Sequence, residues 1–340
     1  MVAHQKLCLC EKLCSEIRNM NQQMNDTLNI AIAQISPKWL NKLATINKIE
    51  DAIKEAKAQN AELVCFGETL LPGYPFWLDL TDGAKFNSPL QKELFAHYLN
   101  EAVSIPEGDL KSICALAKSN NIAVYLGCAE RGDDRGGHSV YCSLVYIDQA
   151  GVIQSVHRKL MPTYEERLAW GIGDGNGLKV HSLNNFTVGG LNCWENWMPL
   201  ARASLYAQGE NLHVAVWPGN VSNTIDLTRH IAKENRMYVL SVSGLMRKED
   251  ISIDVPQHNL ITQNANGLLA NGGSCIAAPD GSWVIEPIVG KEAVVTATIN
   301  LNEVRKERQN FDPSGHYSRP DVFTLDVNRQ RQKLVNFKDE

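Results

Sequence analysis

The feature that most constrains this chain is an alternation of two periodicities, met twice. Leu28–Ile35 is an apolar run that ends at Ser36-Pro37. Leu43, Ile46, Ile49, Ile53 and Ala56 then recur every three or four positions, the stripe of an amphipathic helix, and Glu62–Phe66 is apolar again. Strand, helix, strand at this spacing is a βαβ unit. The second half repeats it: strand Phe186–Asn192, helix over about 198–208, strand Leu212–Trp217, helix Thr224–Asn235, strand Met237–Ser243. Between and after these lie helical stretches near 90–103 and 109–119, a strand Ile122–Cys128, and a hairpin pairing Ser139–Ile147 with Val152–His157. A second hairpin within Ser274–Ile288 turns at Pro279-Asp280-Gly281; a strand Val294–Ile299 and a short helix Asn302–Gln309 follow. No Pro/Gly/Ser linker separates the halves. The pattern predicts an α/β fold of two packed sheets with helices outside.

The ends read differently. Residues 1–27 are polar and are expected to be a disordered leader; residues 28–310 form the domain, and 311–340 an extended tail that contributes to an interface. His4, Cys8, Cys10 and Cys14 have a spacing that admits a metal, but no other motif calls for one, so no metal site is expected. A net charge of −5, with no Lys/Arg block, makes nucleic acid and anionic membranes poor partners. No apolar run approaches the roughly 18 residues of a membrane span, and Glu11 and Lys12 interrupt the only apolar start. The chain reads as cytoplasmic, and its nine cysteines as reduced thiols.

Three segments are out of character for plain structure. Glu68 stands at the exit of a buried strand and opens the Gly/Pro loop Thr69-Leu70-Leu71-Pro72-Gly73-Tyr74-Pro75; strand ends in α/β sheets face the ligand crevice, and the prolines argue against a helix cap. His157-Arg158-Lys159 ends a strand before Glu165, Glu166 and the Gly-rich stretch 171–177; alone it reads as a solvated charged face. Cys193 closes the small, apolar strand containing Gly189 and Gly190 and precedes a helical stretch, the strand–nucleophile–helix order of a nucleophile elbow. A helix N-terminus there favours thiolate. Cys65, Cys114, Cys128, Cys142 and Cys275 fit buried structural thiols.

Taken in order, Gly67-Glu68-Thr69-Leu70-Leu71-Pro72-Gly73-Tyr74-Pro75, His157-Arg158-Lys159-Leu160-Met161-Pro162-Thr163 and Leu191-Asn192-Cys193-Trp194-Glu195 resemble the Glu–Lys–Cys motifs of the nitrilase superfamily, over about residues 28–323. Cys193-Trp194-Glu195, the stretch Glu166–Gly175 and the tail His316–Val322 resemble its nitrilase branch. The resemblance implies a four-layer α-β-β-α sandwich, Glu68, Lys159, Cys193 and Glu166 as catalytic residues, and a homodimer or larger spiral homo-oligomer. It also implies hydrolysis of a small nitrile, with water as co-substrate, to a carboxylic acid and ammonia. Trp194, Trp170 and Glu195 are the candidates for contacting substrate, although a core role is the equal reading of the tryptophans. Such chemistry needs no metal and no organic cofactor. A thiol is mostly protonated at neutral pH, with a pKa of about 8.5, so Glu68 would take its proton, and Lys159 with the Trp194 backbone N–H would stabilise charge on the substrate. Two alternatives stay open: an amidase or carbamoylase using the same residues, whose relatives tend to carry Tyr-Asp after the nucleophile, and a thiol redox or metal-binding protein built on the Cys-rich leader.

Overall fold

The computed structural model describes residues 26–335 and residue 338. His4, Cys8, Cys10 and Cys14 lie outside the described residues. The chain opens with β1 (Thr27–Gln34), α1 (Lys42–Ala58) and β2 (Leu63–Phe66), followed by a single turn α2 (Trp77–Leu80), α3 (Pro89–Glu101), α4 (Lys111–Asn120), β3 (Ala123–Gly132), β4 (Ser139–Ile147) and β5 (Ile153–Arg158). The second half runs β6 (His181–Leu183), β7 (Phe186–Asn192), α5 (Pro199–Tyr206), β8 (Leu212–Trp217), α6 (Val221–Asn235), β9 (Tyr238–Ser243), β10 (Leu245–Arg247), α7 (His258–Asn264), β11 (Leu268–Ala277), β12 (Trp283–Val289), β13 (Ala293–Asn300) and α8 (Leu301–Arg308).

One sheet has the order β13-β1-β2-β3-β4-β5; the other has β10-β11-β9-β8-β7-β6, with β12 on β11. In both βαβ units the strands are parallel, as the spacing required: β1 with β2, and β7, β8 and β9 in sequence. The inner faces of the two sheets interdigitate. Leu28, Ile30, Ile32 and Tyr125 of the first meet Val188, Val214 and Leu240 of the second. On its outer face the first sheet packs Val64 and Val124 against Ile49, Ile53 and Ile113 of α1 and α4. Leu227 and Ile231 of α6 cover the second sheet. The layers are α-β-β-α, as expected.

The predicted α1 stripe holds at Ile46, Ile49, Ile53 and Ala56, but Leu43 is 72% exposed. It lies in the first turn of α1, outside the stripe that packs on the sheet. The short elements α2, β6, β10 and α7 had no counterpart in the sequence reading. Beyond Arg308 the described tail has neither helix nor strand, and Arg331 and Gln332 tie it to Asp174.

Glu68 follows β2 and Lys159 follows β5 in one sheet, Cys193 follows β7 in the other, and the segments after these strands meet. Gly127 of β3 lets the Glu68 loop cross closely. A Cβ there would meet Gly67 O at 2.2 Å and Glu68 Cα at 2.8 Å, closer than real contacts allow. The Glu68 amide donates to Trp217 O (3.2 Å), which joins the ends of β2 and β8, one from each sheet.

Candidate active site

Glu68 leaves β2 into a fully buried position. Its Oε1 accepts from Lys159 Nζ (2.9 Å) and from Cys142 Sγ (3.3 Å), while Oε2 has no hydrogen-bond partner among the described residues. Lys159 follows β5, and its Nζ also donates to Glu166 Oε2 (2.7 Å). Glu166 sits in the 3-10 turn Tyr164–Leu168, where the Thr163 amide donates to Oε2 (2.6 Å) and the Tyr74 hydroxyl donates to Oε1 (3.0 Å). Cys193 follows β7 with φ +47°, a left-handed conformation uncommon outside glycine and typical of strained functional turns. One side-chain ligand atom each from Glu68, Glu166 and Cys193 lie within 4.8 Å of one another. The positive charge at that point is Lys159, bonded to both carboxylates.

The charged run at 157–159 is not a solvated face: His157, Arg158 and Lys159 are all buried. Arg158 makes a paired bond to Glu130 (3.0 and 2.7 Å) and reaches Asp134 (2.9 and 2.7 Å). His157 and Lys159 go to Glu195 and to the Glu68–Glu166 pair. Three consecutive side chains therefore reach three separate sets of acidic partners.

Burial pushes the Glu68 carboxyl up to about 7; Lys159 pulls against that and Glu166 adds to it. Burial alone would pull the Lys159 ammonium down, but Glu68, Cys193, Cys142 and Glu166 together hold it well above its ordinary range. The Cys193 thiol is pushed well up, first by burial and next by Glu68, with Lys159 and the Trp194 backbone N–H opposing. This corrects the expectation of a thiolate-favouring helix end. The five-residue 3-10 turn Cys193–Trp197 follows the nucleophile, and α5 starts only at Pro199. The site rests as a thiol beside a carboxyl that titrates near neutrality.

The model of the carbon–nitrogen hydrolase family matches residues 29–309. The chain belongs to that family. It is 34% identical over 313 residues to Nitrilase 2 of an unknown prokaryotic organism, covering 92% of this chain and 96% of that one. It is 33% identical over 311 residues to the aliphatic nitrilase of Sinorhizobium fredii (strain HH103), covering 90% and 97%. These relatives belong to the nitrilase branch, and so does the chain. An amidase from Nesterenkonia sp. AN1 shares the fold, with TM-score 0.61, 16% identity, and coverage of 83% of this chain and 97% of that one.

In this carbon–nitrogen hydrolase the aromatic and acidic substrate candidates take three different positions. Trp194 is 54% exposed, and its neighbours Trp197 and Leu200 are exposed with it. The direction of the turn sends the indole to the surface. Trp170 is buried and donates to the Tyr98 hydroxyl (3.1 Å), with its ring 5.5 Å from Lys159 Nζ: it walls the lysine. Glu195 has both oxygens taken by protein donors. Tyr74 and Cys142 were missed. Tyr74 lay inside the quoted Glu68 loop without a role; Cys142 carried no signal, because its tie to Glu68 crosses 74 residues. A cleft of about 290 Å³ opens beside Tyr74 and Glu165, walled by Phe76, Leu80 and Leu269 with Asp79 on its side. The Tyr74 hydroxyl links this cleft to Glu166.

Proposed function

We propose that the chain hydrolyses a nitrile to the carboxylic acid and ammonia through a covalent intermediate on Cys193. The observation that carries this reading is the enclosed cluster of one ammonium and two carboxylates around a strained, buried thiol, in a chain whose relatives are nitrilases. Glu68 Oε2, buried and unpartnered, accepts the thiol proton as the sulfur attacks the nitrile carbon. Glu68 passes that proton to the nitrile nitrogen, giving a thioimidate and an ionised Glu68 again. Lys159 and the Trp194 N–H face the charge that builds there; one such donor is typically worth about 3–4 kcal/mol in the transition state. Water adds, Glu68 returns a proton to the nitrogen, the C–N bond breaks and ammonia leaves a thioester. A second water, deprotonated by Glu68, breaks the C–S bond, and Cys193 regains its proton. Two waters are consumed for each acid and ammonia formed.

Glu166 holds Lys159 and, through Tyr74, the wall of the cleft. Phe76, Leu80 and Leu269 suit an apolar substituent, and Asp79 with Glu165, unaccompanied by Lys or Arg in the lining, disfavours an anionic one. The exposed Trp194, Trp197 and Leu200 beside the nucleophile turn support a homo-oligomer. Residues 28–310 are the catalytic domain in this reading, with 311–340 serving an interface. Six described cysteines are free thiols, which fits a cytoplasmic protein; no helix among the described residues is long and apolar enough to cross a membrane. Ammonia release from a panel of aromatic, arylacetyl and aliphatic nitriles, cyanide and the matching amides tests the activity. Turnover of apolar nitriles is expected. Faster turnover of an amide than of any nitrile would replace the reading with an amidase.

A further inference from the structure

Glu195 stands two residues past the nucleophile, yet the mechanism above does not use it. Its carboxylate is buried and fully occupied. Oε1 accepts from the Leu160 amide (2.5 Å), Oε2 accepts from the Asn192 amide (2.8 Å), and each oxygen lies 3.1 Å from His157 Nε2. Leu160 is peptide-bonded to Lys159, and Asn192 to Cys193. The first pair follows β5 in one sheet; the second ends β7 in the other. One side chain therefore ties the two sheets together where the reacting residues meet.

We propose that Glu195, seated on His157, is a positioning residue that sets the distance between the Cys193 sulfur and the Lys159 ammonium. This deepens the nitrile-hydrolysis reading and rests on it. The carboxylate only accepts hydrogen bonds, so His157 must present its proton on Nε2. A Cβ on Gly177 would meet His157 Cα at 2.2 Å, Cβ at 2.5 Å and Nδ1 at 2.8 Å, so the Gly-rich stretch packs closely against His157. Burial alone would raise the Glu195 carboxyl, but His157 and the two backbone amides outweigh it and hold the group ionised. On the far side of the turn, Asn196 Nδ2 donates to Cys193 O (2.8 Å), so the strained residue is held from both ends.

A misplacement of about 1 Å costs on the order of 100-fold in rate even when the altered residue does not touch substrate. Glu195→Gln keeps the size but replaces one acceptor with a donor that faces an N–H. His157→Gln can still place an N–H against the carboxylate; His157→Leu cannot. The test uses the full-length chain, with three readouts: kcat and KM on one accepted nitrile, the rate of Cys193 alkylation by iodoacetamide followed by intact mass, and thermal melting. For Glu195→Gln and His157→Leu the expected result is a kcat loss on the order of 100-fold with KM within about threefold. Slower alkylation should accompany it, and His157→Gln should recover most of both.

Wild-type kcat and alkylation in Glu195→Gln would overturn the proposal. So would a loss that tracks melting alone, with folded protein reacting normally. If Glu195→Gln does not fold, the two His157 variants decide: equal activity and equal alkylation in both would overturn it. Alkylation does not need nitrile turnover. A wild-type enzyme inactive on every nitrile, with the alkylation differences intact, would sink the nitrile reading and leave the positioning role standing.

Discussion

The proton on Cys193 is the quantity on which the residue-scale account turns. Burial and Glu68 keep the thiol protonated, so attack must be coupled to proton transfer, and Glu68 must be ionised to receive it. Because burial raises Glu68 to about 7, its base form is lost as pH falls through neutrality. The expected kcat/KM profile therefore rises with pH through about 7, and the acid limb reports the free enzyme. A limb near the ordinary carboxylate range would contradict this. Glu68→Gln should be inactive at every pH in the same assay, since an amide accepts no proton. Lys159→Arg keeps the charge, but the guanidinium is larger and planar, and its donors point elsewhere than the ammonium that meets Glu68 and Glu166 at 2.9 and 2.7 Å. Its kcat should fall by about 100-fold or more, the scale of losing a fixed transition-state donor; near-normal turnover would reassign the lysine. Glu68, Lys159 and Cys193 were legible in the sequence because each sits at a strand exit in a loop unsuited to plain structure. Trp194, 54% exposed, shows that adjacency to a nucleophile does not say which way a side chain turns. Cys142 and the His157–Glu195 pair were invisible because their partners are neighbours only in space.

At the scale of elements, the sandwich depends on the inner faces of two sheets. Leu240 on β9 is wholly buried between them. Leu240→Ala removes that contact without touching the site and should cost roughly 2–5 kcal/mol, read as a lower urea midpoint with kcat preserved at low temperature. A midpoint within experimental scatter of wild type would mean that the inter-sheet layer is not the stabilising core described here. The long strands and helices were readable because their periodicities run for several residues: β7, β8 and β9 fall within a residue or so of their expected bounds. The three-residue strands β6 and β10 are too short for any period to show, and they exist only because a longer neighbour offers its edge. The helix after the nucleophile, expected over about 198–208, runs Pro199–Tyr206, and the five-residue 3-10 turn Cys193–Trp197 separates it from the thiol. The break comes at Met198, whose extended backbone precedes Pro199.

For the molecule as a whole, what the sequence could not give is which surfaces meet substrate and which meet other copies, because both are assembled from distant segments. The cleft beside Tyr74 draws on residues from 74 to 270, with Asp79 and Glu165 as its charged groups. A nitrile carrying a carboxylate should therefore show a lower kcat/KM than its methyl ester, and the gap should narrow with added salt as screening shortens the reach of the two acids. Equal values would remove the cleft from the substrate path. The central claim is covalent nitrile hydrolysis on Cys193, and product analysis on one accepted nitrile tests it most directly. Acid, amide and ammonia are quantified for the wild type and for Cys193→Ala, beside the corresponding free amide. The account predicts acid and ammonia in equal amounts with amide a minor product, slow turnover of the free amide, and no product from a folded Cys193→Ala variant. Ammonia released by Cys193→Ala at a wild-type rate would contradict it.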